Sequence, residues 1–270
     1  MTTATEAFAP AKINLTLHVT GVREDGYHLL DSLVVFADVG DVVTLRPGDT
    51  LSLSVNGPFA AGVPTNARNL AWRAAEVADW TGHIAIEKNL PHGGGIGGGS
   101  ADAAAVLRAL EAQSDGLALG ADVPVCRVGR VARMSGIGEI VTPIAGDPTF
   151  FAVLVNPGLH VSTPDVFAAL RKRDNPPMPA LPGRETGMRD WLDWLRAQRN
   201  DLQEAAISVA PRIAQVLRGL EATPGVLLAR MSGSGSTCFA LYPTRSAAEL
   251  AANAIAAQRP DWWAVAVRLS

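Results

Sequence analysis

From residue 11 to residue 19 the chain alternates strictly, with Ile13, Leu15, Leu17 and Val19 on one face and Lys12, Asn14, Thr16 and His18 on the other. A period of two predicts a strand with one buried face. Glu24-Asp25-Gly26 reads as a turn, and residues 33–36 and 42–45 read as further strands with Gly40-Asp41 between them. The period then changes. Residues 69–80 predict a helix with Leu70, Ala74, Val77 and Ala78 available as a buried stripe, and residues 83–87 return to strand alternation. Ala103, Val106, Leu107 and Leu110, at helical spacing, predict a helix beginning at Ser100, with Ser100 as N-cap and Asp102 in the first turn. Residues 120–124 read as a tight polar turn before short strands that reach about Pro143.

Gly146-Asp147-Pro148 joins a turn residue, a capping residue and a helix breaker ahead of a new apolar strand at residues 150–155. It is the expected boundary between a domain of residues 1–147 and one of residues 148–270. Residues 175–187, with four prolines, predict an exposed loop. Helices follow around Trp191-Leu192 and Trp194-Leu195, and after Pro211 with Ile213, Val216, Leu217 and Leu220 at helical period. Strands at 226–231 and 237–242, a helix at 247–257 and a last strand at 263–269 complete the pattern. No internal repeat is visible, and the tryptophans are assigned to the core.

Composition narrows the function classes. At 270 residues there is room for two domains with separate cores; 48% hydrophobic and 18% charged residues describe an ordinary globular protein. A net charge of −3 gives no electrostatic case for nucleic acid or an anionic membrane. The two cysteines, far apart, support neither a disulfide framework nor a zinc site and fit a reducing cytoplasm. No signal-like or spanning segment is read, so a soluble, unprocessed cytoplasmic protein is expected. Five scattered histidines give no metal-binding spacing.

The chemistry concentrates in Gly93-Gly94-Gly95-Ile96-Gly97-Gly98-Gly99, set between a strand and a helix. Such a run can aim bare backbone N–H groups and the positive end of a helix dipole at an anion, and polyphosphate is the expected guest. A flexible linker is the alternative, the formal G-x-G-x-x-G match is weak, and Walker A fails because no Lys-Ser or Lys-Thr follows. Lys12 is one of three lysines against twenty arginines, which suggests that a compact ammonium is needed there; a solvated strand face is the alternative. Asp122 lies in a turn fixed by Gly120 and Pro124, where it suits a general base or merely a backbone cap. Ser232-Gly233-Ser234-Gly235-Ser236 offers a second anion-binding turn or simply a hairpin loop.

Three stretches in order, Pro10-Ala11-Lys12-Ile13-Asn14-Leu15, residues 90–105 and Met231-Ser232-Gly233-Ser234-Gly235, resemble the motifs of the GHMP kinase superfamily. Asp25-Gly26-Tyr27-His28, Gly120-Ala121-Asp122-Val123-Pro124, Thr163-Pro164-Asp165-Val166-Phe167, Asn200-Asp201-Leu202 and residues 229–235 extend the likeness over nearly the whole chain. The resemblance implies an α+β two-domain GHMP kinase fold, with a ribosomal-S5-like N-terminal ATP-binding domain, a ferredoxin-like C-terminal substrate-binding domain and the site in the cleft between them. It implies ATP as donor, with Mg²⁺ expected from the reaction and no ligand identified for it. The acceptor it implies is the 2-hydroxyl of a cytidine diphosphate methylerythritol, in non-mevalonate isoprenoid precursor biosynthesis; homoserine or mevalonate is the runner-up. Matching motifs make Lys12 and Asp122 the catalytic pair and Pro91-His92-Gly93-Gly94-Gly95-Ile96-Gly97-Gly98-Gly99-Ser100-Ala101 the phosphate loop. Asn14, Tyr27, His28, Thr163 and Phe167 would line the substrate side. Two departures stand out: residues 111–119 are fewer than the family carries before Gly-Ala-Asp, and His92 stands where a small or apolar residue is expected. A nucleotide-binding protein without catalysis would follow if the first departure displaced Asp122.

Overall fold

The computed structural model describes residues 4–144, 148–183 and 185–270, so the boundary expected at Gly146-Asp147 lies outside the described residues. Two compact units emerge, each assembled from separated segments. One holds residues up to 12, 38–92 and 97–129; the other holds residues 13–37, 93–96 and 130–270.

In the first unit, β3 (His28–Pro47) contributes Val42 to Pro47, which run antiparallel to β5 (Gly82–Glu87). Parallel β4 (Ser52–Asn56) flanks β5, and β1 (Thr5–Asn14) pairs with β3. The two strands expected at 33–36 and 42–45 are therefore one strand of 20 residues. Gly40 makes no turn in it: a Cβ there would run into the Ala9 carbonyl, so glycine permits the close approach of β1. Helix α2 (Gly98–Ala109) packs between α1 (Leu70–Val77) and α3 (Val123–Val128). Asn69 caps α1 by accepting from the Ala71 N–H at 2.9 Å. Of the stripe expected on α1, Ala74 is buried, but Ala71 and Ala75 complete the buried face and Val77 is exposed, because alanines let α1 approach the equally small-sided α2. Residues 120–124 lead not into a strand but directly into α3.

In the second unit, β2 (His18–Val22) and β6 (Ala132–Gly136) pair antiparallel with the first part of β3, and β7 (Ile140–Pro143) extends β6. A second antiparallel set runs in the order β11 (Trp263–Leu269), β8 (Phe150–Asn156), β10 (Cys238–Tyr242), β9 (Leu228–Met231). Its helices are α4 (Thr163–Ala169), α5 (Met188–Arg196), α6 (Gln203–Val209), α7 (Arg212–Glu221) and α8 (Arg245–Gln258). The stripe expected on α7, Ile213, Val216, Leu217 and Leu220, is buried beside β9 and β10.

The strand expected at 11–19 is broken. β1 ends at Asn14, Leu17 makes an isolated bridge to Asn200, and β2 begins at His18. Side-chain hydroxyls replace the ladder at the break: Thr16 Oγ1 accepts from the Leu33 N–H at 2.9 Å, and Ser32 Oγ donates to the Thr16 carbonyl at 2.5 Å. The proline-rich segment is pinned at Met178, which is buried and donates its N–H to Asp31 Oδ2 at 2.8 Å. Among the described residues no helix is long and apolar enough to cross a membrane.

Candidate functional site

In the first unit, burial of Lys12 overturns the solvated-face alternative. Its Nζ donates to Asp122 Oδ2 at 2.7 Å, and the two side chains are 4% and 35% exposed. Asp122 occupies the N-cap position of α3 but makes no side-chain cap, which leaves the carboxylate to pair with Lys12. A turn of 3-10 helix at Leu117–Leu119 carries residues 111–119 into Gly120, two residues before Asp122. One turn along α3, burial pushes the Cys126 thiol up to about 12, with the Asp122 charge adding to it, so it stays a neutral packing group.

Beside this pair begins α2, two residues earlier than expected. Gly97 is the left-handed N-cap residue (φ 68°), no side chain caps the helix, and Ser100 lies inside its first turn. A Cβ on Gly97 would sit 3.3 Å from Lys12 Cβ, so the backbone lies directly against the lysine stem. The first helical bond runs from the Ala101 N–H to the Gly97 carbonyl at 2.8 Å. The N–H groups of Gly98, Gly99 and Ser100 therefore precede the intrahelical ladder, as an anion cradle requires.

The second unit holds the other part of the glycine run. Thr237 N–H donates to Gly94 O at 3.0 Å, and Ser232 Oγ donates to Gly95 O at 3.1 Å while accepting from the Asn14 N–H at 3.1 Å. A Cβ on Gly95 would stand 2.6 Å from the Ser232 carbonyl, which only glycine avoids. The serine–glycine turn is thus both a hairpin loop between β9 and β10 and a support for residues 93–96. Asn200 steadies it, donating to the Met231 and Gly233 carbonyls at 2.8 and 2.9 Å.

Asn14 Nδ2 donates to Ser32 Oγ at 2.8 Å, while its Oδ1 is buried without a partner. His28 stacks on Phe167 with ring centroids 4.5 Å apart and planes at 26°. Its Nε2 is also buried and unpartnered, and burial, with Arg173 adding, holds its pKa below the ordinary histidine value. Tyr27, next along the chain, is 60% exposed. Thr163 Oγ1 is hydrogen-bonded to Ser234 Oγ at 2.8 Å at the start of α4. Sequence reasoning missed Ser32, Ser232 as a bridge, and a buried cluster of Asp41, Lys88 and Asp102.

The family model "GHMP kinases N terminal domain" matches residues 69–138 and "GHMP kinases C terminal" matches residues 178–261. A protein of Dinoroseobacter shibae named 4-diphosphocytidyl-2-C-methyl-D-erythritol kinase is 57% identical, over 95% of this chain and 92% of its own. One of the same name from Cereibacter sphaeroides is 55% identical, over 98% and 99%. A crystal structure of 4-(cytidine 5'-diphospho)-2C-methyl-D-erythritol kinase superposes with a TM-score of 0.78 at 36% identity, covering 98% of this chain and 99% of that one. The chain is a kinase of the α+β GHMP fold and belongs to the GHMP kinase family, within its 4-diphosphocytidyl-2-C-methyl-D-erythritol kinase branch.

Proposed function

We propose that this chain transfers the γ-phosphate of ATP to the 2-hydroxyl of 4-diphosphocytidyl-2-C-methyl-D-erythritol, in non-mevalonate isoprenoid precursor biosynthesis. The observation that carries the reading is the Lys12–Asp122 pair, with a carboxylate held but partly open beside the uncapped start of α2. Asp122 accepts the proton of the substrate hydroxyl as the oxygen attacks the γ-phosphorus. Lys12 offsets the negative charge that develops on the attacking oxygen, and the N–H groups of Gly98, Gly99 and Ser100 hold phosphate oxygens. Residues 91–101 serve as the nucleotide loop. Asn14 Oδ1 and His28 Nε2, both buried without partners, are the polar atoms assigned to the alcohol substrate, and Tyr27, Phe167 and Thr163 are assigned to the same substrate.

Mg²⁺ is expected with the triphosphate. The carboxylates near the loop do not fit a protein-held metal: Asp41 and Asp102 are sealed against Lys88, Asp122 is engaged by Lys12, and the described residues hold no group of three or more metal-ligating side chains. The division into an ATP-binding domain of residues 1–147 and a substrate-binding domain of residues 148–270 is proposed on sequence, supported by family matches that fall on either side of it. A cytoplasmic location is supported by two buried, unpaired cysteines.

A coupled ADP-release assay on this cytidylyl alcohol, homoserine, mevalonate and methylerythritol phosphate tests the reading. Turnover confined to the cytidylyl substrate is expected. Preference for another alcohol removes the substrate assignment, and ATP binding without turnover on any removes the enzymatic one.

A further inference from the structure

The first unit contains a second lysine–aspartate cluster, closed to solvent. Lys88, which follows β5, donates to Asp41 Oδ2 and, at 2.9 Å, to Asp102 Oδ2. The Lys88, Asp41 and Asp102 side chains are 3%, 0% and 3% exposed. Asp41 Oδ1 accepts from the N–H groups of Asn89 and Leu90 at 2.6 and 2.9 Å. Those residues lead into the glycine run, and Asp102 lies in the first turns of the helix that leaves it. A Cβ on Gly98 would stand 3.3 Å from Lys88 Nζ and 3.6 Å from Asp41 Oδ2, so the cluster lies against the first residue of α2. Both ends of the run are therefore fastened to one set of charges.

That set is unbalanced. Two carboxylates share one ammonium, and Asp102 Oδ1 is buried with no partner. A surplus negative charge sealed from water is strongly disfavoured, and one proton removes it. We infer that Asp41, Lys88 and Asp102 form a clasp that positions both ends of the nucleotide loop, with Asp102 entering it as the neutral acid. The inference rests on the reading of this loop as the ATP phosphate site. Burial raises the Asp102 carboxyl to about 7; Lys88 opposes the shift and the neighbouring Asp41 charge adds to it. The groups facing Asp102 are Lys88 from the end of β5, Asp41 from β3, and Cys126 from α3, with the Lys12–Asp122 pair beside that cysteine. The buried residues of α1 are Ala71, Ala74 and Ala75. Above pH 7 the clasp gains a negative charge beside a loop that must hold a polyanion, so nucleotide affinity falls as pH rises.

The test is titration calorimetry of ADP binding from pH 5.5 to 9 on the wild-type chain and Asp102→Asn, the uncharged isostere of the acid. ADP titrates in this range itself, so the quantity read is the ratio of the two dissociation constants at each pH. Near pH 6 the two proteins should agree within about twofold, and above pH 8 the wild type should bind about tenfold more weakly, the size of a one-unit coupling between proton and nucleotide. Lys88→Met should weaken ADP binding by at least about tenfold at pH 6, as misplacement of the loop requires; if that variant fails to fold, the Asp102→Asn ratio still decides. A flat ratio across the range overturns the clasp, and a purely structural Asp102 would give that result with only a changed melting temperature. A wild-type chain that binds no ADP overturns the nucleotide reading, and the clasp with it.

Discussion

Lys12 and Lys88 are both buried and both paired with aspartate, yet their surroundings differ in the one respect that separates chemistry from support. Lys12 meets a single carboxylate, Asp122, which keeps 35% of its side chain in solvent, and only one oxygen of that carboxylate is taken up. Lys88 meets two carboxylates that no substrate can reach, and the rest of Asp41 is spent on backbone N–H groups. A proton acceptor needs an open oxygen beside the reacting hydroxyl. A sealed ion cluster can only hold the chain around it. On the proposed reading the same residue types act on substrate at one site and on the loop at the other, and exposure of the carboxylate tells them apart.

The largest effect should come from the open pair. General-base catalysis contributes about 10²–10⁴-fold, so Asp122→Asn should lower kcat by at least that range while ADP binding by calorimetry stays near wild type. Lys12→Met should also reduce kcat more than it weakens either substrate. Near-normal turnover in Asp122→Asn would erase the distinction between the two lysine sites.

Lys88→Met should invert the pattern and strike stability first. Breaking a buried ion pair from one side costs about 3–5 kcal/mol, which denaturant titration will read directly. Asp102→Asn sharpens the point. Its carboxyl rises from 3.8 in the unfolded chain to about 7 in the folded one, so the native state binds the extra proton and stability is lost as pH rises through that window. The Asn variant should thus match the wild type near pH 4 and exceed it above pH 7. Equal pH dependence in both proteins would show that Asp102 carries no such proton.

Much of this was legible in the sequence because motif and period agreed there. The scarcity of lysine marked Lys12, the Gly-Ala-Asp turn marked Asp122, and the buried stripe of α7 followed its period. Lys88 is just as scarce a residue type, but neither Asp41 nor Asp102 is near it in sequence and burial has no local signature there. Gly40-Asp41 misled for a related reason. In sequence the dipeptide spells a turn, whereas in the fold the glycine admits β1 and the aspartate holds the backbone before the glycine run. The run itself hid a division of labour: Gly93, Gly95 and Gly97 have positive φ, whereas Gly98 begins a regular helix.

A control away from both lysines comes from the aromatic pair of the second unit. Phe167 lies against His28 rather than leaving a gap for a base between them, so a cytosine would stack on an outer face of the pair. Base–aromatic stacking is worth about 1–3 kcal/mol, and Phe167→Ala should raise KM for the cytidylyl substrate by about one to two orders of magnitude. KM for ATP and the folding stability gap between Lys12→Met and Lys88→Met should not change. A shift in the ATP constant would mean that the two sets of residues are not separable as drawn.

The smallest effect concerns His28 and is a matter of pH. Burial and Arg173 hold its pKa below 6.5, so the ring is neutral at pH 7 and its unpartnered Nε2 is available to a substrate edge. Protonation is favoured in the unfolded chain over the folded one, so this residue's contribution to stability is present above 6.5 and is lost as pH falls through the folded value. Substrate recognition should follow the same sign: KM for the cytidylyl substrate should rise about threefold to tenfold as pH falls through the folded value, the loss of one hydrogen bond, while KM for ATP does not share the inflection. Replacing His28 with Gln, which cannot titrate, should flatten that limb. The Asp102 clasp predicts the opposite sign for nucleotide, weaker binding toward high pH, so one pH series on both substrates separates the two regions. An acid limb that persists unchanged in the Gln variant would assign the inflection to another group and withdraw His28 from the base edge.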